Sequence, residues 1–149
     1  MENKVTFRNA ERKDTGLILQ FVKELAAYED MSDDVIADES ILETWIFDKQ
    51  KAEVLFAVVD GTEVGFALFF HNFSTFLGRA GLYLEDLFVM PEYRGKGYGK
   101  ALLKKTGIHC SGNVAADVLN GSVSTGTSQV SIFIFLLVPN HRQTGPFTA

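Results

Sequence analysis

Three glycines at alternate positions, Gly95, Gly97 and Gly99, separate a run typical of a β-strand from a run typical of an α-helix. The strand is predicted over residues 81–89, and residues 100–105 are predicted to form the first turns of the helix. Glycine lets the backbone approach a bulky anion, and the N–H groups at a helix start attract negative charge. Three basic residues add countercharge: Arg94, Lys96 and Lys100. The spacing differs from a Walker loop and from the dinucleotide fingerprint, so a pyrophosphate site and an ordinary glycine-rich turn are both open interpretations.

The residues before the glycines are predicted to form both strands and helices. Periodicity and turn residues predict a strand over 5–7, a helix over 14–28, a short helix over 41–46, and strands over 52–59 and 63–70. Asp60-Gly61 is a strong hairpin signal, so the last two strands are expected to pair. The acidic segment 29–40 is predicted to be a mobile connection, and the aromatic segment 71–76 a loop. Three residues of that loop are expected to pack or to line a cleft mouth: His71, Phe73 and Phe76.

Composition and charge argue against several classes of protein. A chain of 149 residues with 46% hydrophobic residues fits one compact domain, and its net charge of −5 argues against nucleic-acid binding. A single cysteine, Cys110, and three scattered histidines predict neither a disulfide framework nor a metal site. No stretch approaches the roughly 20 apolar residues that span a bilayer, and the charged start lacks a signal-peptide core. We therefore expect a cytoplasmic protein without a membrane partner.

The residues around the glycines resemble a known signature. Tyr83–Val89 stand before the loop, and the pattern Arg94-x-x-Gly97-x-Gly99 follows. This segment resembles the coenzyme A signature of GNAT acetyltransferases, and YLEDLFVMPEYRGKGYGKALL is similar to their diamine (spermidine/spermine) branch. The resemblance covers about residues 5–105, including the hairpin, FFHNFSTF and KELAAYE.

The resemblance implies a fold and a reaction. The fold is the α/β GNAT acyltransferase fold, a mixed and mostly antiparallel sheet with helices on both faces, whose splayed strands hold acetyl-CoA. The reaction is transfer of an acetyl group from acetyl-CoA, as co-substrate, to a primary amine of a small diamine, polyamine or lysine-like molecule. A homodimer is a further expectation. A purely structural dimerisation domain, which would neither bind coenzyme nor turn it over, is a competing interpretation.

The resemblance also implies roles for individual residues. Glu85 would be the general base that removes a proton from the substrate ammonium, directly or through water. Asp86 would contact the substrate, although it points to the opposite face unless the strand bulges. Tyr28 and Glu29, at the end of the first long helix, would hold a distal ammonium. The backbone of Leu87, Phe88 and Val89 would bind the pantetheine arm, and the pyrophosphate would be wrapped by Arg94, Gly95, Lys96, Gly97, Tyr98, Gly99 and Lys100. The alternative for Glu85 and Asp86 is an ordinary solvated strand end. The alternative for Tyr28 and Glu29 is a surface Tyr-Glu pair without a role.

From Thr106 onward the sequence departs from the family pattern. Thr106-Gly107 interrupts the predicted helix, small and polar residues dominate to position 129, and 130–138 is a continuous apolar run. Family members instead continue with a strand and then a helix near an Asn-x-Pro-Ser motif, which carries the tyrosine that protonates the departing thiolate. With one extra adenine in the codons of Lys104-Lys105 and a second near Asn113, the shifted frame permits DWNKPSIDFY, which contains that motif.

We therefore hypothesise that residues 1–105 are the N-terminal and coenzyme-binding part of a single GNAT domain and that 106–149 are an out-of-frame translation. The chain would then be a catalytically impaired acetyl-CoA-binding module. The alternative is a native tail in which 130–138 forms a replacement strand.

Overall fold

The computed structural model describes residues 4–76, 78–106 and 132–134. Its described strands form one antiparallel sheet in the order β1-β2-β3-β4-β5. The strands are β1 (Val5–Asn9), β2 (Glu53–Val59), β3 (Thr62–Ser74), β4 (Arg79–Val89) and β5 (Ile132–Ile134). The helices are α1 (Thr15–Tyr28), α2 (Glu39–Glu43), which continues into a π-helical turn (Thr44–Asp48), and α3 (Tyr98–Lys105). Short 3-10 turns lie at Arg12–Asp14, Ser32–Asp34 and Pro91–Tyr93.

Two hairpins set the register of the central strands. Asp60 and Gly61 both have positive φ, 51° and 76°, as a two-residue hairpin turn requires, so the predicted β2–β3 hairpin is confirmed. The predicted loop over 71–76 is wrong, because β3 continues to Ser74, which pairs with Arg79 of β4. Asn72 and Ser74 favour loops in isolation, but here the β4 ladder pairs their backbone groups.

Helices cover both faces of the sheet, as expected. On one face α3 packs Leu102 against Leu55 and Leu84 of the strands. On the other face α1 packs Phe21 against Phe66, with ring centroids 5.5 Å apart. The mixed sheet that the resemblance implies is wholly antiparallel over the described strands.

The connection after α1 is shorter than predicted. A 3-10 turn forms at Ser32–Asp34, and α2 already begins at Glu39. Asp38 caps α2, because its Oδ1 accepts a hydrogen bond from the N–H of Ile41 at 2.8 Å. In this position an aspartate starts a helix that hydrophobic periodicity alone places two residues later.

Only a small part of the unusual tail falls within the described residues. Thr106 ends α3 as its C-cap, and β5 lies inside the apolar run 130–138, where it pairs with Leu82–Leu84 of β4. His109, Cys110 and His141 lie outside the described residues, as does the rest of the tail on which the frameshift hypothesis depends. No helix in the described ranges combines the length and apolarity needed to cross a bilayer.

Candidate active site

Strand β4 carries a β-bulge at Glu85. Leu84 pairs with Phe69 and Asp86 pairs with Leu68, so Glu85 is an extra residue without a partner on β3. A bulge re-aims the side chains around it. The bulge that the sequence analysis left open is therefore present at the predicted base.

The bulge changes which β4 residues face which core. Before it, Leu82 and Leu84 belong to the core that packs against α3, and after it Leu87 and Val89 contact the same core. Phe88 belongs to the core on the α1 face. Asp86, two residues before Phe88, shares that face because side chains alternate along a strand. Asp86 thus lies on the side of the sheet that α1 covers.

The charges of two other carboxylates act on Asp86 where α1 and β4 meet. Asp86 is half-buried, and loss of solvation raises its pKa to about 7, with further contributions from the negative charges of Glu85 and Glu29. Glu29 comes from the end of α1, far from β4 in sequence. This arrangement would attract a cation, because a cation relieves the mutual repulsion of the carboxylates.

Backbone hydrogen bonds fix the end of α1. The N–H of Met31 donates to the carbonyl of Ala26 at 2.7 Å, and the N–H of Asp30 donates to Ala27 at 3.2 Å. Asp30 has φ of 58°, so the three features form a Schellman motif with a non-glycine residue in the left-handed position. Tyr28 and Glu29 therefore stand on a firmly terminated helix.

The glycine loop is open and electropositive. Gly95 and Gly97 have φ of 77° and 82°, and no atom of the described part lies within 4 Å of where a Cβ would stand on either. Gly97 is the N-cap of α3, whose first N–H groups lack intrahelical partners. Lys96 and Lys100 are exposed beside it. These features fit a diphosphate.

Two predicted coenzyme residues have other contacts. The side chain of Tyr98 is buried in the core with Leu102, so only its backbone faces the loop. Arg94 turns back from the loop: its Nε donates to the carbonyl of Val89 at 2.7 Å, and its guanidinium carbon lies 4.4 Å from the ring centroid of Tyr28. Arg94 thus joins the loop entrance to the end of α1.

The backbone of Leu87, Phe88 and Val89 lies between the carboxylates and the glycine loop. Beyond Leu84, no strand in the described part of the chain pairs with β4 on the edge away from β3. Extended backbone at such an edge is available to pair with an amide-containing ligand. The positions are those that the resemblance assigns to the pantetheine arm.

Gly65 is a site residue that the sequence analysis missed. A Cβ on Gly65 would lie 2.5 Å from the carbonyl oxygen of Phe88 and 3.2 Å from the Cα of Val89. The close approach of β3 to this part of β4 requires glycine. A glycine inside a strand pattern is the signal that points to such a contact.

The aromatic residues at the β3–β4 hairpin do not join this site. Phe73 and Phe76 are 67% and 90% exposed, so neither belongs to the core, and their expected place at a cleft mouth stays a prediction. His71 contacts Glu53, with Nδ1 and Oε2 3.7 Å apart, and lines an open groove of about 650 Å³ between the π-helical turn (Thr44–Asp48) and β2. None of the predicted site residues lines that groove. Residues 4–76 and 78–106 contain no cluster of three or more His, Cys, Asp or Glu side chains arranged to hold a metal.

Comparison with known proteins gives the context of this geometry. Residues 19–109 match the Acetyltransferase (GNAT) family. The chain is 40% identical over 110 residues to a thialysine N-epsilon-acetyltransferase of Bos taurus, covering 68% of this chain and 64% of that protein. It is 34% identical over 106 residues to human spermidine/spermine N(1)-acetyltransferase-like protein 1, covering 66% and 15%. The chain thus spans less than two thirds of the length of these relatives.

A solved structure shares the fold. A Clostridium acetobutylicum acetyltransferase determined with acetyl-CoA superposes with a TM-score of 0.57 and 16% identity, over 80% of this chain and 89% of that one.

Proposed function

The chain belongs to the GNAT acetyltransferase family, and from this membership we propose that it transfers an acetyl group from acetyl-CoA to a primary amine of a small diamine, polyamine or lysine-like substrate. One observation carries the proposal. The bulge at Glu85 places Asp86 on the face that α1 covers, where the charges of Glu85 and Glu29 both act on it, and the strand leads directly into the glycine loop. A cation site and a diphosphate site therefore flank one short strand.

Acetyl-CoA supplies the activated thioester. In this proposal the backbone of Leu87, Phe88 and Val89 holds the pantetheine arm, and Gly95 to Lys100 hold the pyrophosphate. The family membership and the acetyl-CoA-bound structural neighbour support this co-substrate. No step of the proposed reaction requires a metal.

The amine end is held by the carboxylates. Glu29 and Asp86 bind the ammonium groups, with Tyr28 beside them. Glu85 takes a proton from the reacting ammonium, directly or through water, because only the neutral amine has a lone pair for attack. That nitrogen attacks the thioester carbonyl carbon, the C–N bond forms, and the C–S bond of the tetrahedral intermediate breaks. The attacking nitrogen gives up a second proton as the amide forms, and the coenzyme A thiolate takes up a proton as it leaves.

The names of the relatives support small amines of two kinds. Thialysine, a lysine-like amino acid, and spermidine both carry a second ammonium at a distance from the reacting one. Carboxylates on two structural elements, Asp86 on β4 and Glu29 at the end of α1, suit substrates with two separated ammonium groups. We also propose a cytoplasmic location and a homodimer, the latter being what the family resemblance implies.

A binding module without turnover is the alternative. The tail favours this alternative, because its sequence lacks the Asn-x-Pro-Ser motif and the tyrosine that would protonate the departing thiolate. Sequencing the coding DNA from Gly99 onward and measuring the intact mass against 16.5 kDa test the frameshift hypothesis directly. A confirmed tail favours binding without turnover.

The test of function uses acetyl-CoA with thialysine and, separately, spermidine. Thiol release is followed with a thiol-reactive dye, and coenzyme A affinity is measured by calorimetry on the same preparation. Binding together with amine-dependent thiol release supports the enzyme. Saturable binding without thiol release supports the binding module. Absence of both supports the structural domain and overturns the proposal.

A further inference from the structure

Arg94 connects the two halves of the candidate site. It is the residue at which the chain leaves the Pro91–Tyr93 turn and enters the glycine loop. Its Nε donates to the carbonyl of Val89, and its guanidinium carbon lies 4.4 Å from the ring centroid of Tyr28 and 5.4 Å from that of Phe88. One side chain therefore contacts the loop entrance, the end of β4 and the end of α1.

The two aromatic partners of Arg94 differ in burial. Phe88 is buried, and its ring lies 6.0 Å from that of Phe21 in α1, so this side of the guanidinium rests on core. Tyr28 is 46% exposed, on the helix end that also carries Glu29. Gly95 follows Arg94 directly, and no described atom lies within 4 Å of where its Cβ would stand, so a diphosphate in the glycine loop would lie next to the base of the Arg94 side chain.

We propose that Arg94 is a positioning residue that couples the two ligands: the coenzyme diphosphate in the glycine loop fixes Arg94, and Arg94 through its contact with the Tyr28 ring holds that side chain in place beside the amine. This inference rests on the proposed function. Linkage requires the coupling to be reciprocal, so the amine tightens coenzyme binding by the same factor. A cation–π contact of about 1 kcal/mol corresponds to a coupling of about fivefold.

The experiment measures the Kd of coenzyme A by calorimetry, without and with thialysine. Coenzyme A lacks the acetyl group, so no turnover occurs. Each variant first receives its own thialysine titration, so that the amine is saturating in every case. The quantity compared is the ratio of the two Kd values, which a loss of amine or coenzyme affinity alone does not change.

Three variants separate the contributions. Tyr28→Leu removes the ring face and keeps apolar bulk, Tyr28→Phe keeps the ring and removes the hydroxyl, and Arg94→Lys keeps the charge and removes the planar group. We expect a ratio of about five for the native chain and Tyr28→Phe, and of about one for Tyr28→Leu and Arg94→Lys. Arg94→Lys gives the same test should Tyr28→Leu fail to fold.

Two results would overturn the inference. One is a ratio of one in the native chain. The other is a ratio in Tyr28→Leu or Arg94→Lys equal to that of the native chain. A chain that binds no coenzyme A at any concentration contradicts the proposed function itself, which distinguishes that failure from a failure of the coupling.

Discussion

Gly65 of β3 approaches Phe88 of β4 so closely that a Cβ on the glycine would lie 2.5 Å from the carbonyl oxygen of the phenylalanine. That distance is shorter than a carbon and an oxygen tolerate without a bond, and the obstacle is backbone, which cannot rotate away. The close approach therefore fixes where the proposed pantetheine-binding segment lies.

The first prediction concerns this contact. Gly65→Ala should lower the free energy of unfolding by about 1–3 kcal/mol, because the strands must separate to admit the methyl group. It should also weaken coenzyme A binding. Urea denaturation and calorimetry measure the two effects. Gly16→Ala is the matched control: its Cβ would meet only the flexible carboxylate of Glu39, and alanine favours helix, so stability should be unchanged or higher. Equal stability of the two variants contradicts the prediction.

The second prediction concerns the proposed base. Glu85→Gln should lower kcat/KM by about 10²–10⁴, because the amide cannot accept the ammonium proton. Coenzyme A affinity should stay within about twofold, since the glutamate side chain is not among the predicted coenzyme contacts. Glu92→Gln changes an exposed carboxylate in the nearby 3-10 turn and should leave turnover unaltered. Native turnover in Glu85→Gln would remove Glu85 from the role.

The third prediction follows from the raised pKa of Asp86. The folded-state pKa is about 7 and the unfolded value about 3.8, so the unfolded chain releases this proton first as pH rises. Asp86 therefore costs stability progressively between about pH 4 and pH 7, and the full penalty remains above pH 7. Asp86→Asn should be more stable than the native chain at pH 8, on the order of 2 kcal/mol, and the difference should vanish near pH 3.

The same group should control amine binding. Thialysine affinity should increase from pH 6 to pH 8 in the native chain as Asp86 ionises, and this increase should be absent in Asp86→Asn. Calorimetric titrations at several pH values measure it. Asp33→Asn, at an exposed position, should keep the native pH profile. A profile shared by all three proteins would rule out Asp86 as its source.

The fourth prediction concerns the ion pairs that hold β1 to the start of α1. Arg8 binds Asp14 through two bonds of 2.8 Å and binds Glu63 at 2.7 Å, and these contacts lower the pKa of both carboxyls. Their stabilising effect is complete above the unfolded carboxyl pKa values of about 4 and is lost as pH falls through the lower folded values.

Asp14→Asn should therefore lower the free energy of unfolding by about 2–4 kcal/mol at pH 7, with a smaller loss below pH 4, as measured by urea denaturation. Asp48→Asn removes an exposed partner of Arg12 and should leave the free energy of unfolding nearly unchanged, because solvent screens this pair. Similar losses in both variants would show that burial of Asp14 adds nothing.

Local signals in the sequence predict the parts of the site that local chemistry determines. The Asp60-Gly61 hairpin, the end of α1 at Tyr28 and the glycine loop before α3 each depend on a few adjacent residues, and the structure has them all. The loop predicted at 71–76 was wrong because only pairing with β4 makes Ser74 a strand residue.

Relationships between distant segments could not be predicted in the same way. The bulge at Glu85 depends on how β3 pairs with β4 before and after that residue. The raised pKa of Asp86 depends on its burial and on the charge of Glu29 at the end of α1. The contact of Arg94 with Tyr28 likewise depends on two distant segments, the residues after β4 and the end of α1. Side-chain direction at a functional strand is thus a property of the assembled sheet.

At Glu85 the residue needed for the proposed chemistry is one that the pairing of β4 with β3 does not need. Because Glu85 is supernumerary in the ladder, a chain lacking it would have two half-strands of matching parity, with Leu84 and Leu87 still turned to the same core. The hydrophobic packing of the sheet imposes no demand for this residue. Glu85 interrupts the regular pairing of β4 with β3. The carboxylate of the proposed base therefore stands at the interruption itself.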